Sequence, residues 1–339
     1  MPTPHCYIIA EAGVNHNGSI DLALNLIREA KKAGADCIKF QTFKAGAVAT
    51  KKAPKADYQL LVTDVQESQF EMLKKLELPD ESYPLLLAEC NREKIDFLST
   101  PYDEHDALFL NGLGVKAFKI ASGQIIEHSF LQKIAKLGKP IILSTGMATL
   151  SEVAAAVEAI RIAGCNEVTV LQCTTNYPSD IKESNILAMV SMRDALGVSI
   201  GYSDHVESNY ACYAAVALGG KIIEKHFTLD RNMRGPDHAA SLNPNQFSEL
   251  VTGIRLIEQS LGSAVKFPSE IEQRNALGMR RSVVARKNIP AGSIITENML
   301  TYKRPATGMP PQRLFDLIGK ATSQDIQEDA LIDFGMIKW

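Results

Sequence analysis

Eight short, β-branched runs, each followed by a helical stretch, fill residues 1–262 of a 339-residue chain and leave few folds open. The runs lie at 7–12, 37–42, 96–100, 117–121, 140–145, 168–173, 198–202 and 221–226. The helical patterns lie at 20–33, 68–75 with 81–93, 104–110, 130–137, 151–162, 186–195, 210–218 and 246–261. In the first repeat Ser19 is placed as an N-cap and Gly34 as a C-terminal stop. Eight units ending near residue 262 match the order and size of a (β/α)8 TIM barrel. An open doubly wound sheet is the competitor, but it ordinarily carries a glycine-rich nucleotide turn after its first strand, and none follows here. The expected class is α/β, with a TIM-barrel domain over 1–262.

The pattern then breaks. Residues 263–281, with Pro268 and several charges, read as a linker, and residues 282–339, punctuated by Pro290, Gly292, Pro305, Gly308, Pro310 and Pro311, read as a small, mostly β module. So short a module is near the lower limit for independent stability, which makes docking against another surface plausible. Hydrophobic residues at 45% and charged ones at 22% allow a large core and argue against general disorder. Lysine plus arginine is 36 against 39 acids, 36 − 39 = −3, so no excess positive field exists to hold nucleic acid. The N-terminus lacks a basic stretch followed by an apolar segment, and no apolar run is long enough to span a bilayer. The expectation is a cytoplasmic protein with no membrane partner. The six cysteines form no C-x-x-C pair and read as reduced core residues, and the Asn17-Gly18-Ser19 acceptor pattern reads as accidental.

In such barrels reactive groups sit where strands end. Here those ends are polar throughout: Glu11 and Asn15-His16-Asn17, then Lys39 and Gln41, Ser99-Thr100, Lys119 and Ser122, Ser144-Thr145, Thr174-Thr175-Asn176, Ser203-Asp204-His205 and Glu224-Lys225-His226. The i, i+2 spacing of Lys39 and Gln41 places both on one face. Charges inside apolar strands are costly unless paired or facing a site. A structural ion pair of Lys39 or Lys119 with Glu224 accounts for any one of them; a functional site accounts for all of them at one rim. Two lysines with hydroxyls and loop amides make an anion cradle, so a small dianionic substrate is expected. His205 and His226, on adjacent strands, can reach one divalent ion, with water or substrate oxygens completing its shell; hydrogen-bonded rim histidines without metal are the alternative. No H-E-x-x-H, G-x-S-x-G, G-x-x-x-x-G-K-[ST] or G-x-G-x-x-G motif competes.

The segments Ile9-Ala10-Glu11-Ala12-Gly13, Asn15-His16-Asn17-Gly18, Lys39-Phe40-Gln41, Lys119-Ile120-Ala121-Ser122-Gly123, Ser144-Thr145-Gly146-Met147, Tyr202-Ser203-Asp204-His205, Glu224-Lys225-His226-Phe227-Thr228 and Gly235-Pro236-Asp237-His238 closely resemble the sialic acid synthase family. Arg280-Arg281-Ser282, Ile289-Pro290-Ala291-Gly292 and Lys303-Arg304-Pro305 resemble that family's C-terminal antifreeze-like (SAF) domain, so the likeness covers essentially the whole chain.

The resemblance implies condensation of phosphoenolpyruvate with the open-chain aldehyde of an N-acetylated sugar, N-acetylmannosamine in the first instance, giving N-acetylneuraminate and phosphate. By the same resemblance Lys39, Lys119, Ser122, Ser144 and Ser203 hold phosphoenolpyruvate, and His205 and His226 hold a divalent ion, Mn2+ ahead of Mg2+ or Co2+, against the sugar aldehyde. Glu11 is the implied base for the attacking water, with Gln41, Tyr177 and Asp237 lining the site. A homodimer is implied in which the SAF domain of one subunit covers its partner's barrel and Arg304 reaches the sugar's N-acetyl group; a surface salt bridge is the bland reading of Arg304. Family members often carry an acid at the position of Gln124 and an asparagine at that of Thr175, here displaced to Asn176. Both departures fall where the sugar is read, so a 6-deoxy-diacetamido sugar, giving legionaminate or pseudaminate, is the alternative substrate. A metal-dependent pyruvate aldolase and a non-catalytic carbohydrate- or ice-binding SAF protein are the readings from other classes.

Overall fold

The computed structural model describes residues 5–56, 59–60, 63–64 and 66–339. The chain divides into two compact units, Met1–Gly262 and Ser263–Trp339. In the first, parallel strands β1 (Tyr7–Gly13), β2 (Cys37–Thr42), β3 (Asp96–Pro101), β4 (Phe118–Ile120), β5 (Ile141–Ser144), β6 (Val168–Cys173), β7 (Ser199–Asp204) and β8 (Ile222–His226) form one sheet. The order is β3-β2-β1-β8-β7-β6-β5-β4. Strands β3 and β4 lie side by side across the remaining seam, so the sheet is a nearly closed TIM-like barrel.

Helices α1 (Ile20–Lys32), α2 (Gln69–Leu76), α3 (Tyr83–Glu93), α4 (Glu104–Gly112), α5 (His128–Ala135), α6 (Leu150–Ile162), α7 (Leu187–Leu196), α8 (Tyr210–Ala217) and α9 (Pro244–Leu261) follow the strands, with α2 and α3 both after β2. Each sequence-predicted helix is present, with ends moved by one or two residues. In α1, Ala23, Leu26, Ile27 and Ala30 recur at i, i+3, i+4 and i+7 and are the buried stripe. Ser19 accepts the Leu22 N–H as N-cap, and Gly34 takes φ +91°, which a side chain would resist.

Strand parity sorts the barrel into layers. Ile8, Ala10 and Ala12 point outward into the helix-packed core, whereas Ile9 joins Cys37, Leu98, Ile142, Leu171 and Ile222 in an apolar plug inside the barrel. Gly201 sits at the same level of β7, where a Cβ would fall 2.4 Å from the Ile222 carbonyl oxygen and 2.6 Å from Leu171 Cδ2. Parity also corrects the strand ends. Asp204 and Lys225 do not face the barrel interior: they pair with each other, fully buried, on the outer side. The Lys225 ammonium also donates to the Val206 and Ser208 carbonyls at 2.6 and 2.8 Å, while Asp204 accepts from Tyr202 OH and the Val206 N–H, both at 2.9 Å.

The second unit pairs β9 (Ser282–Ala285) antiparallel with β10 (Leu300–Lys303), and β11 (Ala321–Thr322) with β12 (Ile337–Lys338), around a core that includes Val283, Ile289, Ile295, Leu317 and Ile332. The stretch read as a linker holds a helix, α10 (Glu270–Met279), started by a capping box of Ser269 and Glu272. Ala306 N–H donates to Leu277 O at 2.8 Å and Arg304 Nε to Met279 O at 3.0 Å, so this helix belongs to the second unit. No helix among the described residues is long and apolar enough to cross a membrane.

Leaving one member of a buried ion pair without its partner costs about 3–5 kcal/mol. Asp204→Ala should lower the urea unfolding free energy of the barrel by about that much, and Asp204→Leu combined with Lys225→Met should recover most of it. A single variant as stable as the parent would show the pair to be dispensable.

Candidate active site

Two residues beyond the six plug members, and beyond Ala117, which packs against them, and Gly201 at their level, the eight strands present Glu11, Lys39, Thr100, Lys119, Ser144, Cys173, Ser203 and Glu224 at the next level of the interior. None is an aliphatic residue, and all line a cavity of about 370 Å3. One level higher stand Gln41, Tyr102, Thr175, His205 and His226, with Ser122, Gln124, Tyr177 and Asp237 reaching in from the loops. All thirteen sequence-predicted site residues of the barrel unit (Glu11, Lys39, Gln41, Lys119, Ser122, Gln124, Ser144, Thr175, Tyr177, Ser203, His205, His226, Asp237) line this one cavity. Arg304 belongs to the second unit.

The floor is a buried network of two acids and two lysines. Lys39 Nζ lies 2.7 Å from Glu11 Oε2 and 3.8 Å from Glu224 Oε1, and Lys119 Nζ lies 3.4 Å from the same Glu224 oxygen. Lys119 also donates to Ser144 Oγ at 2.7 Å, Lys39 to Thr100 Oγ1 at 3.1 Å, and Ser203 Oγ to Glu224 Oε1 at 3.1 Å. Gln41 Nε2 donates to Glu11 Oε1 at 3.1 Å, Tyr102 OH to Gln41 Oε1 at 3.2 Å, and Gln124 Nε2 to the Tyr102 carbonyl at 3.1 Å. The Gly146 N–H donates to Ser122 Oγ at 2.9 Å, and a Cβ there would meet Thr175 Oγ1 at 2.1 Å.

Burial and pairing pull these groups in different directions. Burial raises the Glu11 carboxyl above the ordinary range against the opposing pull of Lys39, with Glu224 adding to the rise. Burial also opposes ionisation of Glu224, but Lys119, Lys39 and the Ser203 hydroxyl outweigh it and hold that carboxyl low. Lys39 is held above the ordinary ammonium range because Glu11 and Glu224 overcome its burial, whereas burial wins at Lys119 and lowers it. Burial, opposed by Lys39, pushes the Tyr102 hydroxyl up to about 12.

Above this floor the Tyr177 ring lies 3.9 Å from that of His205, centre to centre, and His205 lies 5.2 Å from His226. His205 Nδ1 is engaged by the Thr174 carbonyl at 2.6 Å. Burial disfavours the His205 imidazolium, but Cys173 and that carbonyl hold it above the ordinary range. Burial, reinforced by His205 and the lysines, drives His226 well below it. His226 is therefore neutral, and its buried Nδ1 has no hydrogen-bond partner; Asp237 Oδ2 is 3.8 Å away. A neutral imidazole with an unsatisfied nitrogen beside a second imidazole and a carboxylate is a donor set that fits a divalent ion. Glu224 Oε2 and Gln124 Oε1 are likewise buried without a hydrogen-bond partner.

Another group, Asp103, His105 and Asp106, brings its donor atoms within 4.8 Å of one another and is a possible metal-binding group. It lies at the start of α4, where Asp103 accepts the Asp106 N–H at 2.7 Å as N-cap, and it is absent from the cavity lining. Asn15 and His16 are also used structurally: Asn15 Nδ2 donates to Phe227 O and Ser241 Oγ at 2.9 and 2.8 Å, and His16 Nδ1 accepts the Gly18 N–H at 3.0 Å.

Residues 26–266 match the NeuB family and residues 280–338 the SAF domain. The chain belongs to the NeuB family. Its curated relatives include the N,N'-diacetyllegionaminic acid synthase of Campylobacter jejuni, 48% identical over 96% of this chain and 98% of the relative. The N,N'-diacetyllegionaminic acid synthase of Legionella pneumophila is 41% identical over 95% of this chain and 91% of the relative. Among solved structures, the N-acetylneuraminic acid synthetase of Leptospira borgpetersenii in complex with citrate superposes with a TM-score of 0.71 at 33% identity, covering 80% of this chain and 90% of that one. The sialic acid synthase resemblance read from the sequence is thus correct at the level of the family, and the chain is an enzyme of the NeuB group of sialic, legionaminic and pseudaminic acid synthases.

Some lining residues of this NeuB-family site were not singled out from sequence. Glu224 is placed by the sequence among the charged strand ends of one rim but is given no role in the site, although its i−2 relation to His226 puts both on the inner face. Tyr102 directly follows the Ser99-Thr100-Pro101 strand end, where the same parity from Thr100 selects it. Gln59, Gln69, Met72, Leu73 and Leu76 come from the long segment after β2, which carries no strand register to read.

Asp237 gives this site a pH signature. Burial, then the Glu11 charge, raises its carboxyl from 3.8 to about 6. In the metal-free protein the folded state holds a proton that the unfolded chain has released between about pH 4 and 6. This group's stabilising contribution is therefore full below about pH 4 and is lost as pH rises through 6. Urea midpoints measured from pH 4 to 7 should fall less for Asp237→Asn than for the parent; parallel curves would contradict the shift.

Proposed function

We propose that the protein condenses phosphoenolpyruvate with the open-chain aldehyde of a 6-deoxy-diacetamido sugar and water, giving a legionaminate-type nine-carbon acid and phosphate. The observation that carries this is the single polar level of the barrel, on which Glu11, Lys39, Lys119, Ser144, Ser203 and Glu224 converge beneath His205 and His226. N-acetylmannosamine, the sugar expected first, gives way because the two curated relatives above are both named as diacetyllegionaminic acid synthases.

Lys39 and Lys119, with Ser122, Ser144 and Ser203, hold the phosphate and carboxylate of phosphoenolpyruvate through charge-assisted hydrogen bonds. Its C3 faces the sugar aldehyde, so the new C–C bond joins C3 to the aldehyde carbon while the carbonyl oxygen takes a proton. His205 and His226 would hold a divalent ion, Mn2+ in the first instance, which when bound would supply Lewis-acid polarisation of the sugar carbonyl. Carbon C2, left electron-poor, then takes a water oxygen, and the C2–O bond to phosphate breaks. Glu11 orients this water and takes its proton. A carboxyl raised by burial yet poised against Lys39 suits that exchange better than a fully ionised surface acid. Tyr177, Asp237, Gln41, Gln124 and Thr175 line the space left for the sugar. A pyruvate aldolase would have no use for the paired lysines and would release no phosphate.

We also read the enzyme as a homodimer in which Arg304 of one subunit contacts the sugar's N-acetyl group bound by its partner. A cytoplasmic setting accords with six cysteines that are all free and buried. Phosphate release, measured with a panel of N-acetylated hexoses and diacetamido sugars, tests the reading. Release should require phosphoenolpyruvate and an acceptor, vanish with chelator and return with Mn2+. Glu11→Gln should keep phosphoenolpyruvate affinity while lowering kcat by about 100-fold or more, and Arg304→Ala should raise the sugar KM. Pyruvate-dependent product without phosphate, or near-normal turnover by Glu11→Gln, would overturn it.

A further inference from the structure

The cavity is chemically two-sided. Besides the charged floor, the lining includes one face of α2: Gln69, Met72, Leu73 and Leu76 recur at i, i+3, i+4 and i+7, and all four line the cavity with Val14 and Val48. The other face of the helix, Glu71, Lys74 and Lys75, is exposed. Met72 and Leu76 pack with Val14 and Phe43 in a cluster of their own, against which Leu73 and Tyr102 lean. At the start of this stripe the Gln69 amide is turned to Gln59 Oε1 at 3.5 Å. The rest of the wall therefore offers a ligand neither a charge nor a side-chain hydrogen-bond donor or acceptor.

Nothing in the acid-lysine chemistry of the floor needs such a surface. A hydroxyl pressed against it loses water without gaining a partner, whereas a methyl group gains by burial. We propose that Met72, Leu73 and Leu76 of α2 form the specificity wall for the non-reacting end of the sugar, selecting an acceptor whose terminal carbon is a methyl over one that ends in a hydroxymethyl group. This rests on the condensation reading above and adds to it the residues that sort its acceptors. The wall acts on substrate binding and leaves the floor chemistry alone, so its signature lies in KM more than in kcat.

The test compares a 6-deoxy-diacetamido sugar with its 6-hydroxy counterpart, following phosphate release by the full-length Mn2+-loaded protein. The parent should favour the 6-deoxy sugar in kcat/KM by about 10–200-fold, the range one small apolar group contributes in a hydrophobic pocket. Leu73→Gln, which places an amide on the half-buried middle of the stripe, should shrink that ratio several-fold, chiefly through a higher KM for the 6-deoxy sugar. Leu73→Met should restore it. Equal use of both sugars by the parent, or a ratio unmoved in a folded Leu73→Gln protein, would overturn the wall while leaving the condensation intact. Phosphate release with neither sugar but with another acceptor would overturn the choice of acceptor itself, and the wall with it.

Discussion

Four ionisable side chains, Glu11, Lys39, Lys119 and Glu224, share one buried level of the barrel, and the rest of the site is arranged around them. Removing charges from water is expensive, and mutual attraction offsets that cost only where geometry and further hydrogen bonds are good. Here two acids face two lysines, and Ser144, Thr100, Ser203 and Gln41 take up further donors and acceptors. The formal charges cancel without a ligand. In the proposed reading, an enol phosphate, anionic at both ends, competes with Glu224 for the ammonium of Lys119, and binding exchanges one buried ion pair for another.

Strand parity delivers these groups together and explains what the sequence did and did not disclose. Counting by twos from the plug residues Ile9, Cys37, Leu171 and Ile222 reaches Glu11, Lys39, Cys173 and Glu224 on the inner face, and one more step from Glu224 reaches His226. The chain spells this out, which is why the eight strands and the polar tips were legible. Asp204 and Lys225 were misplaced because they sit one residue off that count; their outward pairing follows from the pleat. The helical stretch 270–279 was hidden in a segment whose Pro268 and charges resemble a linker, and only the Ser269 and Glu272 capping box marks its start. The α2 wall was less legible still. Its periodicity predicts a helix, but which surface the apolar stripe meets depends on the tertiary path of the loop before it.

The cavity thus separates two tasks. The floor carries groups suited to an enol phosphate and, through neutral His226 beside His205, to a divalent ion. The rest of the lining, Gln124, Thr175 and the apolar stripe of α2, carries none of the formal charges of that floor. In the proposed reading, such a division would let one barrel chemistry serve several acceptor sugars.

The most direct test of the charged floor as the anion cradle is calorimetric binding of phosphoenolpyruvate, without sugar, to the parent and to Lys119→Met. Losing a charged hydrogen bond of about 1.5–3 kcal/mol predicts binding roughly 10–150-fold weaker in a variant that stays folded. Unchanged affinity would contradict the account, because the anion would then be held somewhere other than at the lysines on which the arrangement turns.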